Sequence, residues 1–179
     1  MRSHPIELPI PTRVGRFVAH YSEKGLSGLD FPNGRAGLPL GSDARPVLRR
    51  ITAEGGQRVP TAIHSWHRAT EAALKSILAG QAAKKLPPLD LSVGTEFQKR
   101  VWNALRKISL GETKSYSEIA QQIGKPRAVR AVGGACGANP IPVLVPCHRV
   151  LAANKKLGGF SGGLDWKRSL LAREGIKYA

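Results

Sequence analysis

SYSEIAQQIGKPRAVRAVGGAC, residues 115–136, is the stretch whose reading decides the fold. Ser115 followed three residues later by Glu118 is a capping-box signature: the hydroxyl accepts from a backbone N–H of the first helical turn, and the carboxylate reaches back to the cap. A short helix then runs through Ile119, Ala120 and Ile123, and Gly124 closes it. Pro126 sits where a first-turn proline is tolerated, so a second helix is expected from there through Cys136. Only Gly124-Lys125 separates the two, which is helix-turn-helix spacing. Val129 and Val132 are expected to pack inward, leaving Arg127, Ala131 and Gly134 outside.

The flanking sequence is also helical and well punctuated. Upstream, Thr95 with Gln98 predicts another capping box, for a helix that buries Phe97, Val101, Trp102, Leu105 and Ile108. Downstream, a last helix is predicted from Asp165 to about Arg173, with Gly175 as its stop. Towards the N-terminus, residues 14–21 alternate as a strand, Glu23-Lys24-Gly25 turn, and Leu26 to Phe31 return as a second strand. Residues 32–45 read as loop, and Val47 to Ile51 as a third short strand. Residues 61–79 predict a helix with Ile63, Trp66, Ala73, Leu74 and Ile77 on one stripe, Thr70 its one polar member, and Gly80 its end. Residues 81–93, with Pro87-Pro88, read as a linker. The expected architecture is α/β: a small N-terminal lobe over 1–91, linker included, then a mainly helical lobe over 92–179.

Charge bounds the partner. The 179 residues hold 28 Lys/Arg against 12 Asp/Glu, a formal net charge of +16. From residue 92 onward the balance is 15 to 5. Such a surface attracts polyanions through phosphate neutralisation and counterion release, so nucleic acid is the leading partner class. The second helix of the 115–136 pair lacks Asn, Gln and Glu and so reads base edges poorly. Its small residues permit close backbone approach, which suits the minor groove and sequence-independent binding. Close helix packing is the plainer account of Gly133-Gly134. Arg130 is the one long side chain that can wedge into a base stack from this helix, with a phosphate contact as its alternative.

No stretch reaches transmembrane length, and the N-terminus, interrupted by Pro5, Pro9 and Pro11, has no apolar secretory core. The expected location is the cytoplasm, where Cys136 and Cys147 stay as free thiols. There is no CxxC pair and no zinc-spaced Cys/His cluster; His64 and His67 read as surface or packing residues.

The chemistry concentrates in Pro146-Cys147-His148-Arg149-Val150. A thiol with a reference pKa of about 8.5 is mostly protonated at neutral pH, and the thiolate is the nucleophile. An adjacent base and cation, here His148 and Arg149, are what activation requires. Against this, free Cys is often only a small buried hydrophobe. Asn139 can fix the turn that aims the cysteine loop. The Gly-rich run from Leu157 to Gly163 permits close backbone approach to a ligand but matches no phosphate-binding fingerprint. Its Gly159-Phe160-Ser161-Gly162-Gly163 has the form of a hydrolase elbow, but no His follows Ser161 to complete a triad. Glu174 either orients His148 or is a solvated surface acid.

Together these residues resemble the 6-O-alkylguanine-DNA alkyltransferases (methylated-DNA–protein-cysteine methyltransferases). The resemblance rests on Gly94-Thr95-Glu96-Phe97-Gln98 with Val101-Trp102, Gly111 with Ser115-Tyr116, and Arg130-Ala131-Val132-Gly133. It continues through Asn139-Pro140, Pro146 to Val150, Gly158 to Gly163, and Lys167 with Leu170-Leu171 and Glu174. The motifs fall in family order over about residues 92–175.

The resemblance implies a ribonuclease-H-like first lobe and a winged-helix-like second. It implies a suicide DNA-repair protein in which Cys147 attacks the alkyl carbon on guanine oxygen six. His148 would take the thiol proton through a water, Glu174 would hold the imidazole, and Tyr116 would protonate a guanine ring nitrogen. Asn139 would brace the Cys147 loop. Arg130 would fill the gap left by the flipped nucleotide, with Arg127, Ala128, Ala131, Gly133 and Ser115 on the DNA. Val150, Ser161, Phe160 and Pro142 would line the pocket. The implied partner is double-stranded DNA carrying alkylated guanine, bound by a monomer of which several copies can load along the duplex, with no membrane, metal or nucleotide cofactor. Phe160 departs from the family's usual tyrosine, the 86–91 segment lacks an expected aromatic residue, and residues 32–60 match nothing clearly.

Overall fold

The computed structural model of the chain describes residues 5–32 and 59–179. Strands β1 (Ile6–Thr12), β2 (Gly15–Ser22) and β3 (Gly25–Asp30) form an antiparallel sheet in that order. The β2–β3 hairpin is the one the alternation predicts, with Phe17, Ala19 and Tyr21 on the buried face. Strand β1 was not expected from a segment so rich in proline. It is an edge strand, pairing Pro9 with Val18 and Pro11 with Arg16. The two prolines have the same parity, so both missing N–H groups can fall on the open edge. The strand predicted at Val47 to Ile51 lies outside the described residues.

Helix α1 (Thr61–Leu78) packs on all three strands and buries Ile63, Thr70, Ala73, Leu74, Ile77 and Leu78. Thr70 belongs on this apolar stripe because its hydroxyl is satisfied there. It accepts from the Tyr21 hydroxyl at 2.9 Å and donates to the Trp66 carbonyl at 2.8 Å. Gly80, at φ 72°, ends the helix as predicted. The segment that follows is not a free tether. Leu26 N–H donates to Pro88 O at 2.8 Å, and Asp90 N–H returns to Leu26 O at 2.7 Å. The linker is thus bound along β3.

Helices α2 (Glu96–Leu105), α3 (Tyr116–Gln122) and α4 (Val129–Gly137) pack against one another. Both predicted capping boxes form, at Thr95/Gln98 and Ser115/Glu118. Trp102 is the hub: its indole N–H donates to Ala135 O at 2.8 Å, and a Cβ on Gly94 would fall 2.3 Å from its ring. That approach explains the glycine ahead of the Thr95 cap.

Helix α4 starts later than the sequence suggests. Ala128 N–H donates to Lys125 O at 2.9 Å, so Pro126 and Arg127 form the corner of a turn and the helix begins at Val129. A proline fits the second position of such a turn as well as a first helical turn. The shift rotates Val129 to the surface, where it is 37% exposed, while Val132 is buried as expected. Strands β4 (Lys114–Ser115) and β5 (Val150–Leu151) make a short parallel pair, and helix α5 (Leu164–Arg173) closes the chain. One continuous core runs from the sheet into the helices. Among the described residues, no helix is long and apolar enough to cross a membrane.

Candidate active site

After α4 the chain turns at Asn139-Pro140 and doubles back, with Val145 N–H donating to Ile141 O at 2.9 Å. Val143 stands at φ 73°, a region that a β-branched residue rarely occupies. The hairpin delivers Cys147–Arg149 as a single 3₁₀ turn leading into β5. Every residue from Asn139 to Val150 is buried.

Asn139 holds this turn through three contacts. Its side-chain N–H₂ donates to Val145 O at 2.8 Å and to Cys147 Sγ at 3.1 Å, and its Oδ1 accepts from Ile141 N–H at 3.0 Å. Cys147 is 3% exposed. Burial pushes its pKa up to about 11, against the opposing pull of the Asn139 hydrogen bond and the Lys167 charge. The resting group at neutral pH is therefore the thiol, and to serve as a nucleophile it would need a base to take its proton.

His148 follows Cys147 in the same 3₁₀ turn. It is fully buried, and burial first of all holds its pKa below the usual imidazole value, which keeps it neutral. Its Nε2 lies 2.9 Å from Glu174 Oε1. Burial alone would raise the Glu174 pKa, but hydrogen bonds from His148 and Arg149 overcome it and bring the value down to about 2. An ionised carboxylate only accepts, so the imidazole proton sits on Nε2 and Nδ1 carries the lone pair. Nδ1 is buried and has no hydrogen-bond partner among the described residues.

Arg149 is committed elsewhere than the thiol. Its Nε donates to Glu174 Oε2 at 2.8 Å, Nη2 to Glu174 Oε1 at 2.9 Å and Nη1 to Ile108 O at 2.7 Å. The cation expected to activate Cys147 therefore fixes the carboxylate instead, and Glu174 is a buried acid rather than a solvated one.

Lys167 supplies the positive charge near the thiol. It is fully buried on α5, and its Nζ donates to Val150 O at 2.7 Å, to Leu157 O, and to Gly159 O at 3.4 Å. Burial lowers its pKa to about 8. The ammonium ties the strand after the cysteine turn to the Gly-rich loop. No role for it follows from the sequence, although a lysine on the face of α5 that also carries Leu170, Leu171 and Glu174 was a signal.

Tyr116 opens α3 half-buried beneath the same loop. A Cβ on Gly158, at φ 64°, would fall 2.9 Å from its hydroxyl, and one on Gly133 would fall 3.9 Å from its ring. Burial pushes its pKa up to about 12, so it stays protonated and able to donate.

The structure thus bonds Asn139 to Cys147 and His148 to Glu174, the two pairs meeting at adjacent residues of one buried turn, with Tyr116 across the loop. Pro142 is buried in the hairpin, and Phe160 and Ser161 stand half-buried on the Gly-rich loop. Val150 is buried, and its carbonyl already accepts from Lys167. On the outer face of the α3–α4 corner, Arg127, Arg130 and Ala131 are exposed, while Ala128 and Gly133 are half-buried. Ser115 is not a free surface hydroxyl: its Oγ accepts from Glu118 N–H at 3.1 Å as the cap of α3. Among the described residues, no group of three or more His, Cys, Asp or Glu is arranged to hold a metal ion.

Residues 96–176 match the family model of the 6-O-methylguanine DNA methyltransferase DNA-binding domain. A methylated-DNA–protein-cysteine methyltransferase of Methanosarcina barkeri is 38% identical over 168 residues, covering 92% of this chain and 94% of the relative. One from Mycolicibacterium paratuberculosis is 56% identical over 101 residues, covering 56% of this chain and 61% of the relative. Among solved structures, the O6-methylguanine methyltransferase of Mycobacterium tuberculosis superposes with a TM-score of 0.69 at 35% identity, over 95% of this chain and 92% of that one. The Mycobacterium tuberculosis protein in complex with DNA gives 0.65 at 36% identity, over 93% and 90%. The chain belongs to the methylated-DNA–protein-cysteine methyltransferase family. Its match to the mycobacterial relative spans about three fifths of that protein's length, 61%.

Proposed function

We propose that this protein repairs double-stranded DNA by moving the alkyl group of 6-O-alkylguanine onto its own Cys147, once per molecule. The observation that carries the reading is a buried turn in which the Cys147 thiol, held by Asn139, is followed directly by His148, itself bonded to Glu174 and through it to Arg149, set behind a basic helical corner. A relative of 36% identity was solved in complex with DNA.

The chemistry follows from the protonation states. Cys147 Sγ forms a bond to the alkyl carbon as that carbon's bond to guanine oxygen six breaks. The thiol proton passes through a water to His148 Nδ1, whose imidazolium is stabilised by Glu174. The electron pair left on the base is neutralised when Tyr116 protonates a ring nitrogen, and Tyr116 recovers its proton from the imidazolium side through solvent. Asn139 steadies the sulfur throughout. The product is a thioether, and no group in the site is placed to cleave one, so the protein is consumed.

A base in a duplex does not reach a thiol this deeply buried without leaving the stack. The exposed Arg130 on α4 fills the space it vacates. Arg127, Ala128, Ala131 and Gly133 lie along the minor groove, with the Ser115 cap at the base of the corner. Val150 and Ser161 hold the guanine edge, with Phe160 and Pro142 as walls. The same reading divides the chain at residues 91/92, with the protein acting as a cytoplasmic monomer that loads along DNA in several copies. Replacing Cys147 with Ser tests it: alkyl removal from methylated duplex is abolished and affinity for the duplex is kept. Loss of DNA affinity with the thiol, or continued repair without it, contradicts the reading.

A further inference from the structure

The chain at the end of strand β3 touches both the segment that carries the cysteine turn and the Gly-rich loop. Leu29 N–H donates to Pro140 O at 2.9 Å, one residue beyond the Asn139 that holds the Cys147 sulfur. Two residues further on, just past the end of β3, Phe31 is buried against the Gly-rich loop and α5. Its ring centroid lies 5.8 Å from that of Phe160, edge-on at 68°, and 4.9 Å from that of Trp166. Phe17 backs it at 5.6 Å. Edge-on and tilted rings at these separations attract beyond their area of burial.

The closest approach is to Gly162. A Cβ there would fall 2.4, 2.7 and 2.9 Å from three carbons of the Phe31 ring. Gly158 and Gly163 on either side have positive φ, at 64° and 89°, and need glycine for the backbone twist; Gly162 is not among the positive-φ residues. Its side chain is therefore excluded by the Phe31 ring rather than by its own conformation. The ring and the missing methyl are a matched pair across the two ends of the chain.

We propose that Phe31 is a positioning residue for alkyl transfer, the seat that sets where the Phe160–Ser161 loop stands over the alkylguanine. The inference rests on the proposed alkyltransferase reading. The N-terminal sheet then fixes the pocket width from one side through Phe31, and the cysteine turn from the other through Leu29.

The test is a cycle of Phe31→Ala, Gly162→Ala and the double variant. It measures transfer from a free alkylguanine base, which requires no DNA, and amide hydrogen exchange over residues 158–163. Phe31→Ala is expected to raise the half-saturating base concentration roughly tenfold, which corresponds to about 1.4 kcal/mol of lost binding. The limiting rate and the affinity for undamaged duplex stay within about twofold, and exchange in the loop accelerates. Gly162→Ala alone harms the wild-type protein but is tolerated once the ring is gone, so the two losses are not additive. Phe31→Leu, which keeps an apolar filler, gives an intermediate shift and serves if the alanine variant fails to fold. Additive losses, or loop exchange and half-saturation unchanged by Phe31→Ala, overturn the proposal. If wild-type Cys147 gains no alkyl group at all, the alkyltransferase reading fails, and the exchange data alone still decide whether Phe31 seats the loop.

Discussion

The Asn139 side chain donates to the Cys147 sulfur at 3.1 Å while its backbone N–H donates to Cys136 O at 3.3 Å, at the C-terminal end of α4. One residue thus joins the Cys147 thiol to the helix at the protein's basic corner. Asn139→Ala removes the bond to Sγ and leaves Ile141 N–H without its acceptor, while Val145 O keeps only the Cys147 N–H at 2.8 Å. Each buried group left unpaired costs about 1–3 kcal/mol. The expected result is a clearly lower Tm, slower alkyl transfer and a thiol that titrates still higher, since the Asn139 bond lowers the Cys147 pKa. Thermal unfolding with a thiol titration checks all three.

Glu174 sets the acid limit of stability. Its pKa is about 2 in the fold against 4.5 unperturbed. A depressed carboxyl stabilises above its unfolded pKa, and the contribution is lost as pH falls from about 4.5 towards 2. The size is about 3 kcal/mol. Neutral buried His148 adds to the loss, beginning below pH 6.5, because only the unfolded imidazole takes up the proton there. Glu174→Gln should flatten the acid limb of the stability curve. It should also lower stability at pH 7, because it strands the Arg149 guanidinium in a buried site. Denaturant melts between pH 2 and 8 measure both effects.

Gly158 faces the Tyr116 hydroxyl at a positive φ. Gly158→Ala combines backbone strain with a contact that pushes the phenol out of place. Transfer should slow by roughly tenfold or more if Tyr116 is the proton donor, in line with the 10²–10⁴ that general acids supply. Tyr116→Phe should give a loss of similar size without the strain, and single-turnover rates for the two variants check this.

On the proposed reading the exposed Arg130 acts on the duplex rather than on the chemistry. Arg130→Ala should slow transfer from methylated duplex roughly tenfold or more, the cost of losing the group that holds an unstacked gap open. Transfer from a free alkylguanine base should be unchanged, because nothing has to be flipped. Equal losses on both substrates would place Arg130 in the pocket instead.

What could be read from the sequence was local. Thr95/Gln98 and Ser115/Glu118 cap their helices, and Gly80, Gly124 and Gly175 end theirs, because each device depends on residues within one turn. The His148–Glu174 pairing was legible because the motifs that carry it keep their order along the chain. The start of α4 was not, since Pro126 suits a turn corner and a first helical turn alike. Strand β1 was hidden because Pro9 and Pro11 are admissible only at an edge, and edges belong to the assembled sheet. Arg149 points to Glu174, Lys167 reaches three loop carbonyls, and Phe31 meets Gly162 only after residues far apart in sequence have folded together.

The most direct measurement is the intact mass of the protein after incubation with excess methylated duplex, with the modified residue located by peptide fragmentation. The account predicts a gain of one methyl group per molecule, on Cys147, and removal of no more guanine methyl than there is protein. An unmodified protein, a methyl group on Cys136, or repair continuing beyond one equivalent would contradict it.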